Sequence, residues 1–306
     1  MVLDSIKKRS TLKNIVIAIL SIVILVFLLS PLAWMVITSL EEEALMFKRP
    51  PVVLPNGPFF ANYQFIWVRF VSEEALEWGY VLPGSLPGVL AEARGMVQSV
   101  LNSLVVASCT TLVCLALGLL AAYTFAKVPI VGGTKFLFYI FVSRLLPPIA
   151  ILIPVYTVFK TIGLLDTLAS IILIHASFAM PFFVWILFVH FKSVPQSVED
   201  SARVDGCSRF QVLTKIMLPI AKPGIIAASI FAFMISYNEF IFATTLSQSA
   251  ASRTASATVS ALAFSIGRYS VPLIMAGGIF AILPPIIIVL IFRKTILEGL
   301  VSIFRR

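Results

Sequence analysis

The side chains with the clearest chemical potential are polar groups that interrupt long apolar stretches. Arg144, His175 and Glu239 each lie within such a stretch, and Glu239 directly follows Tyr237 and Asn238. Charged groups among apolar residues are costly, so they are functional candidates by default. A hydroxyl-rich solute needs donors and acceptors of fixed geometry, which an adjacent amide and carboxylate provide. We predict that Tyr237, Asn238, Glu239 and Arg144 line a solute pathway.

Each of these residues also has a structural interpretation. Glu239 could make a buried hydrogen bond to another helix, and Arg144 could extend toward a membrane surface or take part in gating. His175 is predicted to be an interhelical hydrogen-bond donor rather than a proton relay. The three cysteines, at positions 109, 114 and 207, show no disulfide or metal-site spacing. We therefore predict no disulfide and no metal site. No residue is predicted to be catalytic.

The 192–222 loop is polar and carries several helix signals. Two pairs match the capping-box pattern, in which a serine precedes an acidic or amide residue by three positions. The pairs are Ser197 with Asp200 and Ser208 with Gln211. Between them, Asp205 and Gly206 form a turn dipeptide. The pattern predicts two short helices with a bend at Gly206.

The second of these predicted helices is amphipathic. Phe210, Leu213 and Met217 recur at the spacing of one helical face. Pro219 and Pro223 are predicted to end this helix and to begin the next apolar segment. A loop with caps and an apolar stripe fits a docking element, whose apolar side packs on the protein and whose exposed face meets a partner.

The composition indicates a polytopic membrane protein. Of the 306 residues, 59% are hydrophobic and 12% are charged, against about 45–50% and about 25% in soluble domains. Soluble, disordered, coiled-coil and disulfide-rich classes are therefore excluded. The net charge of +9 fits basic cytoplasmic loops of a membrane protein, and it does not indicate a nucleic-acid partner.

Six segments are apolar and long enough to cross a bilayer, which needs about 20 residues of helix. They cover residues 15–36, 97–125, 136–159, 167–191, 223–246 and 271–292. Backbone groups in lipid must be satisfied internally, so an all-α protein with six transmembrane helices is expected. Pro147 and Pro148 are predicted to break or kink the third segment.

Basic residues set the expected orientation. They are more frequent in the segments that are cytoplasmic when both termini lie inside. The predicted organisation is a cytoplasmic N-terminus (1–14), a first span (15–36), an extracytoplasmic segment (37–96), a five-span core (97–292) and a cytoplasmic tail (293–306). The 192–222 loop then lies on the cytoplasmic side. The expected location is the plasma membrane, as a multi-pass protein.

The 192–222 loop resembles a known motif, the EAA motif of binding-protein-dependent ABC importer permeases. In that motif an acidic residue and two small residues precede a glycine, and an isoleucine and a leucine–proline pair follow at fixed spacing. The matching residues are Asp200, Ser201, Ala202, Gly206, Ile216, Leu218 and Pro219. Asp205 beside Gly206, together with the run 237–240, resembles the carbohydrate branch of this family and its six-span, maltose-type subunit.

The resemblance implies a type I importer permease that forms half of a translocation pore for a di- or oligosaccharide. A second permease subunit would complete a heterodimer, and two ATPase subunits would bind on the cytoplasmic side, where the EAA-like loop would lie in a cleft of the ATPase. An extracytoplasmic sugar-binding protein would deliver the solute. The sequence has no Gly-x4-Gly-Lys-[Ser/Thr] loop. The resemblance therefore implies a subunit that is not itself an enzyme and binds no cofactor, with ATP and Mg on the partner ATPase.

Two other functions remain open from the residues. An ion-driven secondary transporter could use Glu239, His175 and Arg144 as a relay, although six spans and the absence of an obvious inverted repeat argue against it. An ABC importer permease for a non-sugar solute would keep the ATPase and change the cargo. The sequence does not name the sugar.

Overall fold

The computed structural model describes residues 2–42, 57–67, 95–264 and 270–304. All regular secondary structure in these ranges is helical. The eleven α-helices are α1 Val2–Ser39, α2 Ala61–Trp67, α3 Met96–Lys127, α4 Gly133–Ser143, α5 Leu152–Thr161, α6 Leu168–Ser193, α7 Gln196–Val204, α8 Arg209–Tyr237, α9 Ile241–Leu246, α10 Ala255–Phe264 and α11 Val271–Phe304. A 3₁₀ helix, Pro148–Ile151, directly precedes α5. This confirms the all-α expectation. Much of the predicted extracytoplasmic segment, including residues 43–56 and 68–94, and residues 305–306 of the predicted tail lie outside the described residues.

Five of the helices are long and apolar enough to cross a membrane, namely α3, α6, α8 and the ranges Lys13–Ser39 and Val271–Lys294 of α1 and α11. A sixth span results if α4 and the segment Pro148–Thr161 count as one, although they meet at 88°. The predicted break lies there, because proline lacks the N–H group that continues a helix.

The fifth predicted span differs from its expected course. Its helix α8 begins at Arg209, well before Pro223, and ends at Tyr237, and the separate helix α9 follows. Pro219 lies just after a π-helical turn at Leu213–Met217, where the wider backbone accommodates a residue that cannot donate. The prediction that prolines end a separate short helix is therefore wrong, and so is the prediction of one continuous helix through Glu239.

The chain divides into two compact units. The smaller unit contains residues 1–94 and 262–279, and in it α2 caps the end of α1. Asn62 Nδ2 donates to the carbonyl oxygens of Ser39 and Glu41, both at 3.0 Å, and Tyr63 shares a 2.6 Å hydrogen bond with the Ser39 hydroxyl. These bonds satisfy carbonyl groups that the end of a helix leaves without partners.

The larger unit contains residues 95–261 and 280–306, and α3, α6 and α8 form its centre. Phe183, Leu187 and Phe191 of α6 are fully buried among side chains of α3, α7 and α8. Gly224 allows α8 to approach α6 closely, because a Cβ there would lie 2.4 Å from the His190 ring. This packing positions the 192–222 loop at one end of the unit and the 162–167 and 247–254 segments at the other.

Candidate functional site

The first part of the candidate site is α7, within the 192–222 loop. The helix begins directly after Pro195, whose side chain makes no capping hydrogen bond. The predicted cap at Ser197 is therefore wrong, because Ser197 already lies inside the helix. Proline at this position can begin a helix without losing a hydrogen bond, since the first N–H groups have no intrahelical partner.

Gly206 ends α7 with a left-handed residue, as the turn dipeptide indicated. Its φ is +86°, a region that glycine enters without the steric cost of a Cβ. The Gly206 N–H donates to the Arg203 carbonyl at 3.1 Å and the Cys207 N–H to the Ala202 carbonyl at 3.0 Å, which is the Schellman arrangement. The following helix then begins with the predicted capping box of Ser208 and Gln211.

The motif-matching residues lie on two sides of the 192–222 loop, which are an exposed outer surface and a buried inner surface. Asp200, Ser201, Asp205, Gly206 and Pro219 are exposed, Ile216 and Leu218 are half-buried, and Ala202 is buried. Apolar side chains accompany the exposed group, since Val204 is 87% and Phe210 is 67% exposed. The predicted inward stripe is therefore correct for Leu213 and Met217, which are buried, and wrong for Phe210.

The inner surface of α7 contains a contact that the sequence analysis missed. Glu199 is 2% exposed, and its Oε1 accepts a 2.9 Å hydrogen bond from the hydroxyl of the buried Tyr123. Lys127, one turn further along α3, donates to the Val194 carbonyl at 2.6 Å. The only sequence signal was the spacing of Tyr123 and Lys127 on one helical face.

The second part of the site is a buried polar cluster between α3, α6 and α8. His175 is 1% exposed, with Nδ1 2.9 Å from Ser236 Oγ and Nε2 2.9 Å from Glu239 Oε2. Ser236 in turn donates to Thr110 Oγ1 at 3.3 Å. His175 therefore joins two helices, which agrees with the structural interpretation of this residue and satisfies groups that would be costly to bury alone.

Glu239 lies in the break between α8 and α9. Besides the contact with His175, its carboxylate accepts the backbone N–H groups of Phe242 and Ala243, both at 3.0 Å. Its own carbonyl accepts a 2.7 Å bond from the Ser256 hydroxyl. The carboxylate therefore stabilises the first turn of α9, which is a structural function.

The other predicted pathway residues lie in different surroundings. Tyr237 is buried, donates to the Ala281 carbonyl at 2.9 Å and stacks on Phe233. Asn238 is exposed at the end of α8. The structure therefore brings Glu239 to His175, while it directs the Tyr237 hydroxyl to the backbone of α11 and leaves Asn238 on the surface.

Arg144 lies at the break between α4 and the Pro148–Thr161 segment. Its guanidinium carbon is 4.5 Å from the ring centroid of Phe178 and 5.6 Å from that of Phe182. Both rings belong to α6 and lie on the helical face that also carries His175, as their spacing requires. Cation–π contacts of this kind partly offset the cost of removing the cation from water.

The opposite end of the larger unit is held by Asp166. Its carboxylate accepts the backbone N–H groups of Gln248 and Ser249, both at 2.8 Å, and the hydroxyl of Ser252. The Ser252 hydroxyl and the further hydrogen bonds from Ser249 and Gln248 hold the pKa of Asp166 well below its usual range. Asp166 thereby ties the 162–167 segment to the 247–254 segment. Among the described residues, no group of His, Cys, Asp and Glu side chains could hold a metal ion.

Comparison with known proteins decides the family. Residues 114–300, which include α7, His175, Ser236 and Glu239, match the family described as the binding-protein-dependent transport system inner membrane component. The chain belongs to this family. It is therefore a multi-pass membrane component of an ABC transporter. A probable ABC transporter permease from Sinorhizobium fredii is 33% identical over 72% of this chain and 70% of its own length.

Relatives with named solutes match this permease over nearly its full length. The trehalose transport system permease protein SugB of Mycobacterium tuberculosis is 26% identical, over 93% of this chain and 95% of the relative. The trehalose/maltose transport system permease protein MalG of Thermococcus litoralis is 24% identical, over 96% and 98%. A solved chain of a bacterial ABC transporter for the polysaccharide alginate shares the fold, with a TM-score of 0.72, 20% identity and coverage of 92% and 95%.

Proposed function

We propose that this permease is one half of the translocation pore of an ATP-driven importer for a di- or oligosaccharide. The observation that carries the proposal is the outer surface of the 192–222 loop, where exposed Asp200, Ser201 and Asp205 accompany the exposed apolar side chains of Val204 and Phe210. Exposed apolar groups beside polar ones are typical of a protein interface. The named solutes of the relatives, trehalose and maltose, support a sugar.

The partners follow from this assignment. Two ATPase subunits bind ATP and Mg and hydrolyse ATP, and one of them receives the 192–222 loop of this chain. A second permease subunit completes a heterodimeric pore, and an extracytoplasmic sugar-binding protein delivers the solute. The 192–222 loop and both termini are then cytoplasmic, and the end of the larger unit that carries Asp166 faces outward.

The solute pathway is proposed to include Asn238 and Arg144, beside the two breaks in the spans. Broken helices expose polar backbone and side-chain groups where a polar solute can bind in a membrane. Asn238 is exposed at one break, and Arg144 is half-buried at the other. Glu239 and Tyr237 are proposed to stabilise this region rather than to bind the solute, since their polar groups already make hydrogen bonds within the chain.

Proteoliposomes that contain the complete complex test the energy source. Uptake of labelled trehalose or maltose is expected to require ATP and the binding protein, to stop when the ATPase is inactivated, and to persist when the proton gradient is dissipated. Uptake by this chain alone, driven by a pH step, would instead establish a secondary transporter. ATP-dependent uptake of only a non-sugar solute would support an ATP-driven importer but would show that its solute is not a sugar.

A further inference from the structure

Helix α3 makes polar contacts near both of its ends. Near its beginning, Asn102 Nδ2 donates to the carbonyl oxygens of Ala251 and Arg253, both at 2.9 Å. One residue later, the Ser103 hydroxyl accepts the backbone N–H of Ala255 at 2.8 Å. These residues are buried or part-buried, so the 247–254 segment is fixed to the first turns of α3.

The last turns of α3 contact α7 and the two-residue connection, Val194 and Pro195, between α6 and α7. Tyr123 donates to Glu199, and Lys127 donates to the Val194 carbonyl. Phe191 lies edge-on to the Tyr123 ring, with centroids 6.1 Å apart, and helps to exclude water from the Tyr123–Glu199 bond. Helix α7 is thus held by α3 in addition to its covalent connections to α6 and α8.

The Tyr123–Glu199 bond and the proposed docking surface lie on opposite faces of α7. Glu199 and Ala202, three residues apart, are buried, whereas Asp200, Ser201 and Val204 are exposed. A force applied to the outer face must displace α7 either with α3 or away from it. Separation would leave the buried Glu199 Oε1 without its donor, the Tyr123 hydroxyl, which is strongly unfavourable. Movement of α7 together with α3 is therefore favoured.

We propose that Tyr123 is a positioning residue that transmits displacement of α7 through α3 to the 247–254 segment at the other end of the unit. The stretch from Asn102 to Tyr123 covers about 30 Å of helix. It contains a π-helical turn at Cys114–Gly118 but remains continuous, so a shift at one end reaches the other. The inference rests on the proposed function, because it assumes that an ATPase displaces α7.

The test uses the complete reconstituted complex, with maltose or trehalose and the binding protein present, and measures solute uptake and ATP hydrolysis together. In the Tyr123→Phe variant, the number of solute molecules imported per ATP hydrolysed is expected to fall about tenfold, as loss of a hydrogen bond to a charged group predicts. Tyr139→Phe is the matched control, because Tyr139 is 69% exposed on α4 and loses the same hydroxyl. Uptake per ATP should be normal in that control.

A double variant separates transmission from stability. Tyr123→Phe with Glu199→Leu removes both polar partners, so it should restore the yield of assembled complex while uptake per ATP remains low. Uptake per ATP at the wild-type level in Tyr123→Phe, or full recovery of it in the double variant, would overturn the positioning role. Failure of the wild-type complex to link uptake to ATP would instead overturn the proposed function.

Discussion

Glu239 Oε2 lies 2.9 Å from His175 Nε2, and this contact joins the break between α8 and α9 to the second turn of α6. The same carboxylate accepts two backbone N–H groups at the start of α9. A single side chain therefore shapes the break and attaches it to the bundle. This gives Glu239 a structural function distinct from that of its exposed neighbour Asn238.

Replacement of Glu239 by alanine should destabilise the protein. The change leaves His175 and the N–H groups of Phe242 and Ala243 without their acceptor, at a cost of about 1–3 kcal/mol for an unsatisfied buried group. Thermal unfolding of the purified complex and its yield measure the effect. Glu239→Gln retains an amide oxygen as acceptor and should lose less. Equal unfolding temperatures of the Glu239→Ala variant and the wild type would contradict the structural role.

Gly206→Val should uncouple ATP hydrolysis from transport or weaken ATPase binding, while the spans remain folded. A Cβ at Gly206 would meet no atom within 4 Å, so the cost arises from its φ of +86° and amounts to about 1–2 kcal/mol. Uptake per ATP and copurification of the ATPase are the measurements.

Gly163 offers a matched control at the other end of the unit. It also has a positive φ, of +71°, and free space around a Cβ. Gly163→Val should impose similar backbone strain while ATPase binding remains normal. Transport at the wild-type rate by Gly206→Val, or equal loss of ATPase binding in both variants, would show that the bend has no docking role.

Asn238→Ala should slow solute passage without reducing assembly. Asn238 is exposed at the end of α8, so the loss of its amide removes a donor and an acceptor from the proposed pathway, and a loss of about 1.4 kcal/mol would slow transport tenfold. Transport per assembled complex is compared with that of Asn14→Ala, an exposed asparagine on α1. Normal transport per complex would remove Asn238 from the pathway.

The contact of Asp166 with the 247–254 segment should weaken in acid. Hydrogen bonds to the carboxylate lower its pKa in the folded protein, so its contribution is fully present above the unfolded pKa of about 3.9. The contribution is lost as the pH falls through the lower folded pKa. Asp166→Asn tolerates the positive φ of 60° but lacks the charge.

Thermal unfolding of the wild type and of Asp166→Asn, measured from neutral pH to below about pH 4, tests this expectation. The wild type should unfold at the higher temperature at neutral pH, and the difference should shrink as the solution is acidified. A difference that stays constant over the whole range would mean that the charge of Asp166 contributes nothing to the contact.

The features that depend on local chemistry were predictable from the sequence. Six apolar segments follow from the length that a bilayer requires, and the break at Pro147 and Pro148 follows from the missing N–H group of proline. The bend at Gly206 follows from the conformational freedom of glycine, and the capping box at Ser208 from the residues of one helical turn. Each of these is decided by neighbours within a few positions along the chain.

The tertiary structure decided which polar groups meet. Tyr123 bonds Glu199 across 76 positions, and His175 bonds Glu239 across 64. Three further features are also set by tertiary packing. Phe210 faces outward, the Tyr237 hydroxyl is bonded to the backbone of α11, and α8 ends before Glu239. A helix that is apolar on all sides carries no periodic signal of its buried face. The rotation of each helix, and hence the partner of each polar side chain, is therefore set only when the helices pack together.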